Sequence, residues 1–325
     1  MEFERVITIA EKEFADTLRG KKFLLIFGIY LIVAFVGAVQ GIWSYTSGSS
    51  FLGIPPTILD VFQRMGATVS TFGAVLGIAA GFDLISGERE EGSLKVLLAR
   101  PVFRDEIITG KVLGGAMTLA LATGLSLAIT LGLLLLTGHL PRLLEFWLIL
   151  VFGAVSFLYL FGCFGIGLAM SAVSRRSGEA LLFALAAFFL LSLAVPTAGT
   201  AVADLVVGET PEVPQIIDEK DMDIWYAYKE ESQRHHDLRE SIVQAAELFS
   251  PEWNYDEAMR AITKPHLYLL MRGPADGDRD AYSFDAEPDP GEILSHLWTS
   301  IVALLLVPVL FLGFAYAKFL RLDLR

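Results

Sequence analysis

The stretch SGEREEGSLKVLLARPVFRDEIITGK, residues 86–111, lies between two long apolar segments and carries ten charged side chains. Within it, Leu94, Leu97 and Leu98 are spaced so that they share one face of a helix. Gly87 precedes this pattern, and Pro101 disfavours helical backbone at the residue before it. These limits predict a short helix over residues 87–100. Because so short a helix is unstable alone, its apolar face must dock on the lipid surface, on the rest of the chain or on a partner.

The composition places the chain among membrane proteins. It has 325 residues, of which 54% are hydrophobic, and its mean hydropathy is +0.55. These values exclude an ordinary soluble domain and a disordered chain. Crossing a bilayer takes about 20 apolar helical residues, and six stretches are long enough: 23–41, 67–85, 107–137, 143–173, 180–203 and 297–319. The sequence therefore predicts an all-α membrane protein with six transmembrane helices.

Lysine and arginine collect at one end of these stretches. They precede the first stretch and follow the second, fourth and sixth, whereas the short connections on the other side hold only Arg64 and Arg142. Basic residues beside membrane spans favour the cytoplasmic side. We therefore expect a multi-pass protein of the cell membrane with both termini in the cytoplasm.

Four regions follow along the chain. Residues 1–20 have the pattern of an amphipathic helix that lies in the cytoplasmic interface, although a soluble helix would show the same pattern. Residues 21–203 contain the first five transmembrane helices and the short helix at 87–100. Residues 204–295 hold 22 acidic and eight basic residues, which predicts an acidic, mainly helical extracytoplasmic domain, with helices at 221–249 and 251–262. Residues 296–325 form the sixth transmembrane helix and a cytoplasmic tail.

Inside the stretches, small residues recur every fourth position. One row is Gly73, Gly77 and Gly81; a second runs from Ala116 through Gly124 to Gly132, and a third joins Cys163, Gly167 and Ser171. Such rows let helices approach closely in lipid, so we expect bundle packing, contact with a second copy, or the lining of a path. Pro196 is expected to break the fifth helix near its outer end.

Ionisable residues are almost absent from the middle of the stretches. A proton- or ion-coupled transporter places such groups at membrane depth. The pattern therefore argues against secondary transport.

Two patterns in the acidic segment suggest metal sites. Asp276, Asp278, Asp280 and Glu287 fall at positions one, three, five and twelve of a calcium loop, but Ala281 stands where the turn needs glycine. A solvated acidic turn is the alternative. His235, His236 and His266 could bind a metal such as copper, or they could be ordinary surface histidines.

The opening stretch closely resembles the signature loop of ABC type-2 transporter membrane-spanning subunits, also called permease subunits. The matching positions are Glu91, Gly92, Ser93, Leu94, Leu97, Leu98, Pro101, Arg104, Gly110 and Lys111. The string LFSPEWNYDEAMRAI at residues 248–262, together with the insertion that contains it, is similar to the branch named for multicopper-enzyme maturation, which includes permeases accessory to nitrous-oxide reductase.

The resemblance implies an N-terminal elbow helix, six spans and a coupling helix that docks on a separate cytoplasmic ATP-binding subunit. Residues in that contact would be Glu88, Arg89, Glu91, Gly92, Leu94, Leu97, Leu98, Pro101 and Arg104. It further implies a homo- or heterodimer of permeases, with export as the preferred direction. An extracytoplasmic partner is conceivable, and no nucleic acid is expected.

The chain contains no GxxxxGK[ST] phosphate-binding motif. We therefore expect no enzyme activity and no cofactor in this chain, with ATP and Mg²⁺ bound in the partner subunit. Substrate-binding residues are unknown at this point. The rival interpretations are a secondary transporter or channel that needs no ATPase, and a non-transporting membrane sensor or scaffold.

Overall fold

The computed structural model describes residues 3–48, 57–92, 103–208, 211, 222–265, 267–268 and 290–321. Within these ranges every regular element is helical, which confirms the predicted all-α class. An N-terminal helix covers Phe3–Arg19. Six helices are long and apolar enough to cross a membrane: span 1, Lys21–Thr46; span 2, Leu59–Glu90; span 3, Arg104–Leu136; span 4, Leu143–Val173; span 5, Ser177–Val207; and span 6, Leu297–Leu320.

Two of the spans contain a π-helical turn. Span 2 runs as Leu59–Thr68, a π-turn at Val69–Gly73, Ala74–Gly81 and a short helix at Ser86–Glu90. Span 5 runs as Ser177–Phe189, a π-turn at Leu190–Ala194 and Val195–Val207. The predicted break at Pro196 is therefore wrong, because helical backbone continues through the wide turn and the proline follows it in the next helical segment.

Span 4 forms the centre of the bundle. It packs against span 2 and span 6, and glycines make the approach to span 2 close. A Cβ added at Gly77 would meet the backbone of Leu160 and the side chain of Cys163, and one added at Gly81 would meet Phe164. The first and third rows of small residues are thus confirmed as helix-packing surfaces.

The row in span 3 behaves differently. A Cβ added at Gly124 or Gly132 would have no neighbour within 4 Å, and Ala120 and Ala128 are exposed. Among the residues that the structure describes, this row is not covered by another helix of the chain. Bundle packing within one chain is therefore the wrong interpretation of its central part.

Among its described residues, the segment between spans 5 and 6 forms two long helices. The helix Met222–Glu247 lies along the last part of span 5, where Arg239 Nε is 2.9 Å from an Asp204 carboxylate oxygen. Two large apolar side chains on or next to this helix, Leu238 and Phe249, are exposed. Helix Pro251–Thr263 begins as predicted, with Ser250 Oγ accepting a hydrogen bond from the Trp253 N–H at 3.2 Å.

We call Pro251–Thr263 the inserted helix because it enters the bundle. It contacts spans 2, 4 and 6, and Tyr255, Ala258 and Ile262 are at most 1% exposed. Part of the acidic segment is therefore core, not a domain standing apart from the spans. The helix that contains span 6 begins earlier than the apolar pattern predicts, at Pro290, and ends at Leu320.

Candidate functional site

The end of the bundle that carries the N-terminal helix and the 86–104 connection is called here the N-terminal face. A buried ion-pair triad lies on it. Lys111, only 1% exposed, places its Nζ 2.9 Å from Glu13 Oε1 and 2.8 Å from Glu88 Oε1. These residues come from span 3, the N-terminal helix and the end of span 2. One ammonium therefore joins three elements through charge-assisted hydrogen bonds.

Glycines in span 3 allow this contact. The N-terminal helix crosses the start of span 3, and a Cβ at Gly110 would collide with Ile9, while one at Gly114 would meet Ala10 and Glu13. The face of the N-terminal helix that is buried therefore contains Val6, Ala10 and Glu13, whereas Phe3 is exposed. The close approach brings Glu13 within reach of Lys111.

The end of span 2 is tied to the end of span 4 by hydrogen bonds. Ser171 Oγ accepts from the backbone N–H groups of Ile85 and Ser86, at 3.0 and 2.9 Å. The Arg89 guanidinium donates to the carbonyl oxygens of Ser174 and Ala172, at 2.6 and 3.3 Å. Arg89 therefore satisfies carbonyls that the last turn of span 4 leaves without helical partners.

Spans 5 and 6 also form hydrogen bonds with residues at the two ends of the connection between spans 2 and 3. The Ser177 N–H, at the start of span 5, donates to Glu90 Oε2 at 3.0 Å, and Ser177 Oγ contacts the Asp83 carboxylate. Arg104 donates to the carbonyl oxygen of Leu320, at the end of span 6, at 3.1 Å. Both ends of the connection between spans 2 and 3 are thus fixed to other spans.

The start of span 3 is stabilised by a side chain of its own first turn. The helix begins at Arg104, and Glu106 reaches back to accept the Phe103 N–H at 3.3 Å. Asp105 lies inside the first turn. Its charge can still favour the helix N-terminus.

The predicted site residues divide into three groups. Glu88, Arg89 and Arg104 make the contacts within the chain just given. Glu91 and Gly92 are exposed, and Gly92 has φ +75°, a left-handed conformation that favours glycine and turns the chain away from the short helix. Leu94, Leu97, Leu98 and Pro101 lie outside the described residues, as does most of the predicted helix at 87–100.

The candidate metal ligands gain no support from the structure. Asp276, Asp278, Asp280, Glu287 and His266 lie outside the described residues. His236 is exposed, with Nε2 3.6 Å from Glu240. Within the described part of the chain, no group of three or more histidine, cysteine or acidic side chains is arranged to hold a metal ion.

A charged cavity of about 470 Å³ opens beside the triad. The N-terminal helix, the start of span 1 and the end of span 2 enclose it, and Lys12, Asp16, Lys22, Asp83 and Glu91 are among its lining residues. The exposed rim of this cavity is therefore polar, and the helix ends beside it are joined by hydrogen bonds.

Comparison with known proteins identifies the family to which the chain belongs. The sequence model of the ABC-2 family transporter protein matches residues 7–324. The chain belongs to the ABC-2 family. Its six apolar helices make it a multi-pass membrane protein of that family.

Two curated relatives are similar over part of this ABC-2 protein. The probable ABC transporter permease protein NosY of Pseudomonas aeruginosa is 33% identical over 119 residues. The protein of the same name from Stutzerimonas stutzeri is 35% identical over 120 residues. In each case the match covers 36% of this chain and 41% of the relative.

Sequence reasoning missed Glu13 and Ser171 and did not assign the role of Lys111. A lysine inside an apolar helix needs an acidic partner, so the sequence signals that Lys111 must be paired. It does not say with which residue, because Glu13 is 98 positions away.

Proposed function

We propose that this ABC-2 protein is the membrane-spanning permease subunit of an ABC transporter, driven by a separate cytoplasmic ATP-binding subunit. The N-terminal face would lie in the cytoplasm at the cell membrane. Residues 87–104 would form the contact with the ATP-binding subunit, which binds ATP and Mg²⁺. Two permease copies, identical or different, would pair in the working unit, and export is the direction we propose.

The anchored connection is the observation that carries this proposal. Glu91 and Gly92 are exposed, while the residues on either side are fixed to spans 4, 5 and 6 and to the N-terminal helix. A partner that moves Glu91 and Gly92 would therefore exert force on several spans at once. A loosely attached loop would absorb the same motion.

The charge distribution supports the orientation. Lys21, Lys22, Arg175, Arg176 and Lys318 are all exposed on the N-terminal face. Basic residues beside spans favour the cytoplasmic side of a membrane. This side is also the one on which an ATP-binding subunit would find nucleotide.

The test is co-purification of this chain with a tagged ATP-binding subunit of an ABC transporter encoded beside it. Glu91→Arg and Leu97→Asp are expected to reduce the recovered subunit by about tenfold or more, because a charge reversal or a buried carboxylate disrupts a docked surface. Glu11→Arg is the matched control, since Glu11 is an exposed glutamate of the N-terminal helix. Membrane insertion, checked by protease accessibility, should be normal in all three variants.

Recovery of the ATP-binding subunit with both loop variants at the wild-type level would contradict the proposed contact. Failure of the wild-type chain to recover any ATP-binding subunit would contradict the permease proposal itself. A sensor or an ATPase-independent transporter would then be the better description.

A further inference from the structure

The inserted helix carries charged side chains to the depth of the membrane core. It runs antiparallel to span 2, with Lys264 Nζ 3.4 Å from the Asp60 carboxylate at the start of that span. At its other end, Tyr255 stacks on Tyr159, and the Tyr159 hydroxyl donates to the Ser70 carbonyl oxygen at 2.7 Å. Positions 60 and 70 of a helix are about 15 Å apart, and the hydrocarbon core of a bilayer is about 30 Å thick. The inserted helix therefore reaches about half way through the core, measured from the start of span 2.

One side of the inserted helix is open. Glu252, Asp256 and Arg260 follow one another at steps of four and therefore share a face, and Trp253 lies beside them. Arg260 is exposed, Trp253 is 37% exposed, and the two carboxylates are partly exposed. The other side packs into the bundle, where Tyr255 is buried. We call Glu252, Trp253, Asp256 and Arg260 the open charged face.

The Arg260 side chain points towards the middle of the bundle. Its Nε donates to the Asp256 carbonyl oxygen at 3.3 Å, and its guanidinium carbon lies 5.5 Å from the centroid of the Trp253 ring. Both partners precede Arg260 in the inserted helix and therefore lie deeper. An arginine that faces lipid extends its charge towards the nearer membrane surface instead. The conformation of Arg260 therefore fits surroundings that solvate a charge at this depth.

Span 6, which lies beside the inserted helix, has an apolar surface at the same depth. Val307 of span 6 lies 3.3 Å from the position of a Cβ added at Gly162 of span 4, so Leu305 is about level with Tyr159. Leu305 is 50% exposed and Val302 is 47% exposed. These two side chains suit contact with lipid tails. The open charged face does not, because ionised groups are costly in hydrocarbon.

A second copy of the chain would not give this face a dry cover. Two copies that cross a membrane in the same direction are paired by a two-fold axis along the membrane normal. Equivalent residues then lie at equal depth, so the two Glu252 side chains would face each other, as would the two Arg260 side chains. Like charges in close contact repel strongly unless water separates them. Water is therefore the environment that suits the open charged face.

We propose that the open charged face lines a water-filled vestibule, which enters the bundle from the end opposite the N-terminal face and reaches about its middle. Charged groups at membrane depth are typical of substrate pathways. In the proposed permease the vestibule is part of the path of a hydrophilic substrate, and this second statement alone rests on the proposed function. Water access is measured on this chain without an ATP-binding subunit, so either proposal can fail without the other.

The experiment measures how fast single cysteines react with sodium (2-sulfonatoethyl) methanethiosulfonate, a charged reagent that does not enter the bilayer core. Cys163 is the chain's only cysteine, and it is replaced by alanine in every variant. Trp253→Cys and Arg260→Cys report on the open charged face. The full-length protein is kept in lipid nanodiscs during the reaction, and the remaining thiols are counted after denaturation.

Matched controls come from the apolar surface at the same depth. Val302→Cys and Leu305→Cys place the thiol on span 6, where the wild-type side chains are about half exposed. Asp237→Cys is the reference for full contact with water, since Asp237 is exposed on the helix Met222–Glu247. Because a thiol must be hydrated to ionise and react, the two cysteines of the inserted helix are expected to react at least about tenfold faster than those of span 6.

Equal rates for the inserted-helix and span 6 cysteines, whether fast or slow, would overturn the vestibule. The path is tested separately, in the complex with the ATP-binding subunit. There, ATP with vanadate is expected to change the reaction rate of Trp253→Cys several-fold, because a transport path alternates its access. An unchanged rate in that complex would overturn the path and leave the vestibule in place.

Discussion

Removing the charge of Lys111 should destabilise the protein far more than removing an exposed lysine. In Lys111→Met the side chain keeps its approximate length but loses its charge, so Glu13 and Glu88 remain side by side with no cation between them. In the folded protein these carboxylates are only 10% and 22% exposed. Water can therefore replace the lost ammonium only in part.

The expected size of the effect follows from the two contacts. At an effective dielectric constant of about 20, unit charges 2.9 Å apart attract by about 6 kcal/mol. The cost of removing the lysine from water cancels a large part of that attraction. Breaking a buried ion pair by removing one partner costs about 3–5 kcal/mol, and we expect a loss in that range for Lys111→Met.

The assay is reversible unfolding in mixed detergent micelles, with increasing sodium dodecyl sulfate and helical content followed by circular dichroism. Lys22→Met is the matched control, because Lys22 is 80% exposed and lies 3.9 Å from Asp83. Such a surface pair contributes about 0–1 kcal/mol. The control therefore reports the general effect of losing one positive charge on the N-terminal face.

A triple variant separates charge from shape. Lys111→Met combined with Glu13→Gln and Glu88→Gln removes all three charges and should recover at least half of the loss, because no unpaired carboxylate remains buried. A loss below about 1 kcal/mol in the single variant would refute the triad as a structural tie. A triple variant less stable than the single one would show that shape, not charge, sets the cost.

Two further predictions concern packing and pH. Gly77→Val should lower the free energy of unfolding by about 1–3 kcal/mol, because the added side chain collides with span 4. Gly124→Val should change the free energy of unfolding by less than about 0.5 kcal/mol. The same unfolding assay checks both variants, and equal losses would contradict the assigned helix faces. Because burial raises the pKa values of Glu252 and Asp256, their contribution to stability should increase as the pH falls from neutral through those raised values. The stability difference between the wild type and the Glu252→Gln/Asp256→Asn variant, measured between pH 7 and pH 4, should therefore shift in favour of the wild type on acidification, and a difference independent of pH would contradict this.

The spans were predictable because their signal is local. A run of about 20 apolar residues is sufficient to indicate a transmembrane helix, and all six appear where the hydropathy pattern puts them. The start of the inserted helix was predictable for a similar reason, since Ser250 and Pro251 form a local capping signal. The family was recognisable from the 86–111 stretch, although the leucine face that drew attention to it lies outside the described residues.

The polar interior could not be predicted from the same local signals. The spans themselves are poor in mid-membrane charges, as the sequence indicates, but the inserted helix supplies Glu252 and Asp256 from outside them. Its own residues are polar enough to predict a solvent-exposed helix. Only tertiary contacts, such as Tyr255 on Tyr159 across 96 positions, reveal that it is buried. The argument against secondary transport considered the spans alone, and it stays a prediction.

The position of the inserted helix also constrains how the protein is assembled in the membrane. Its contacts are with spans 2, 4 and 5, which are synthesised before it, and with span 6, which is synthesised after it. During biogenesis the place of this helix between these spans therefore cannot be filled before residues 251–263 have been synthesised. Span 6 can cover the inserted helix only after that. A chain that ends before residue 251 would therefore lack the contacts that the inserted helix makes with spans 2 and 4.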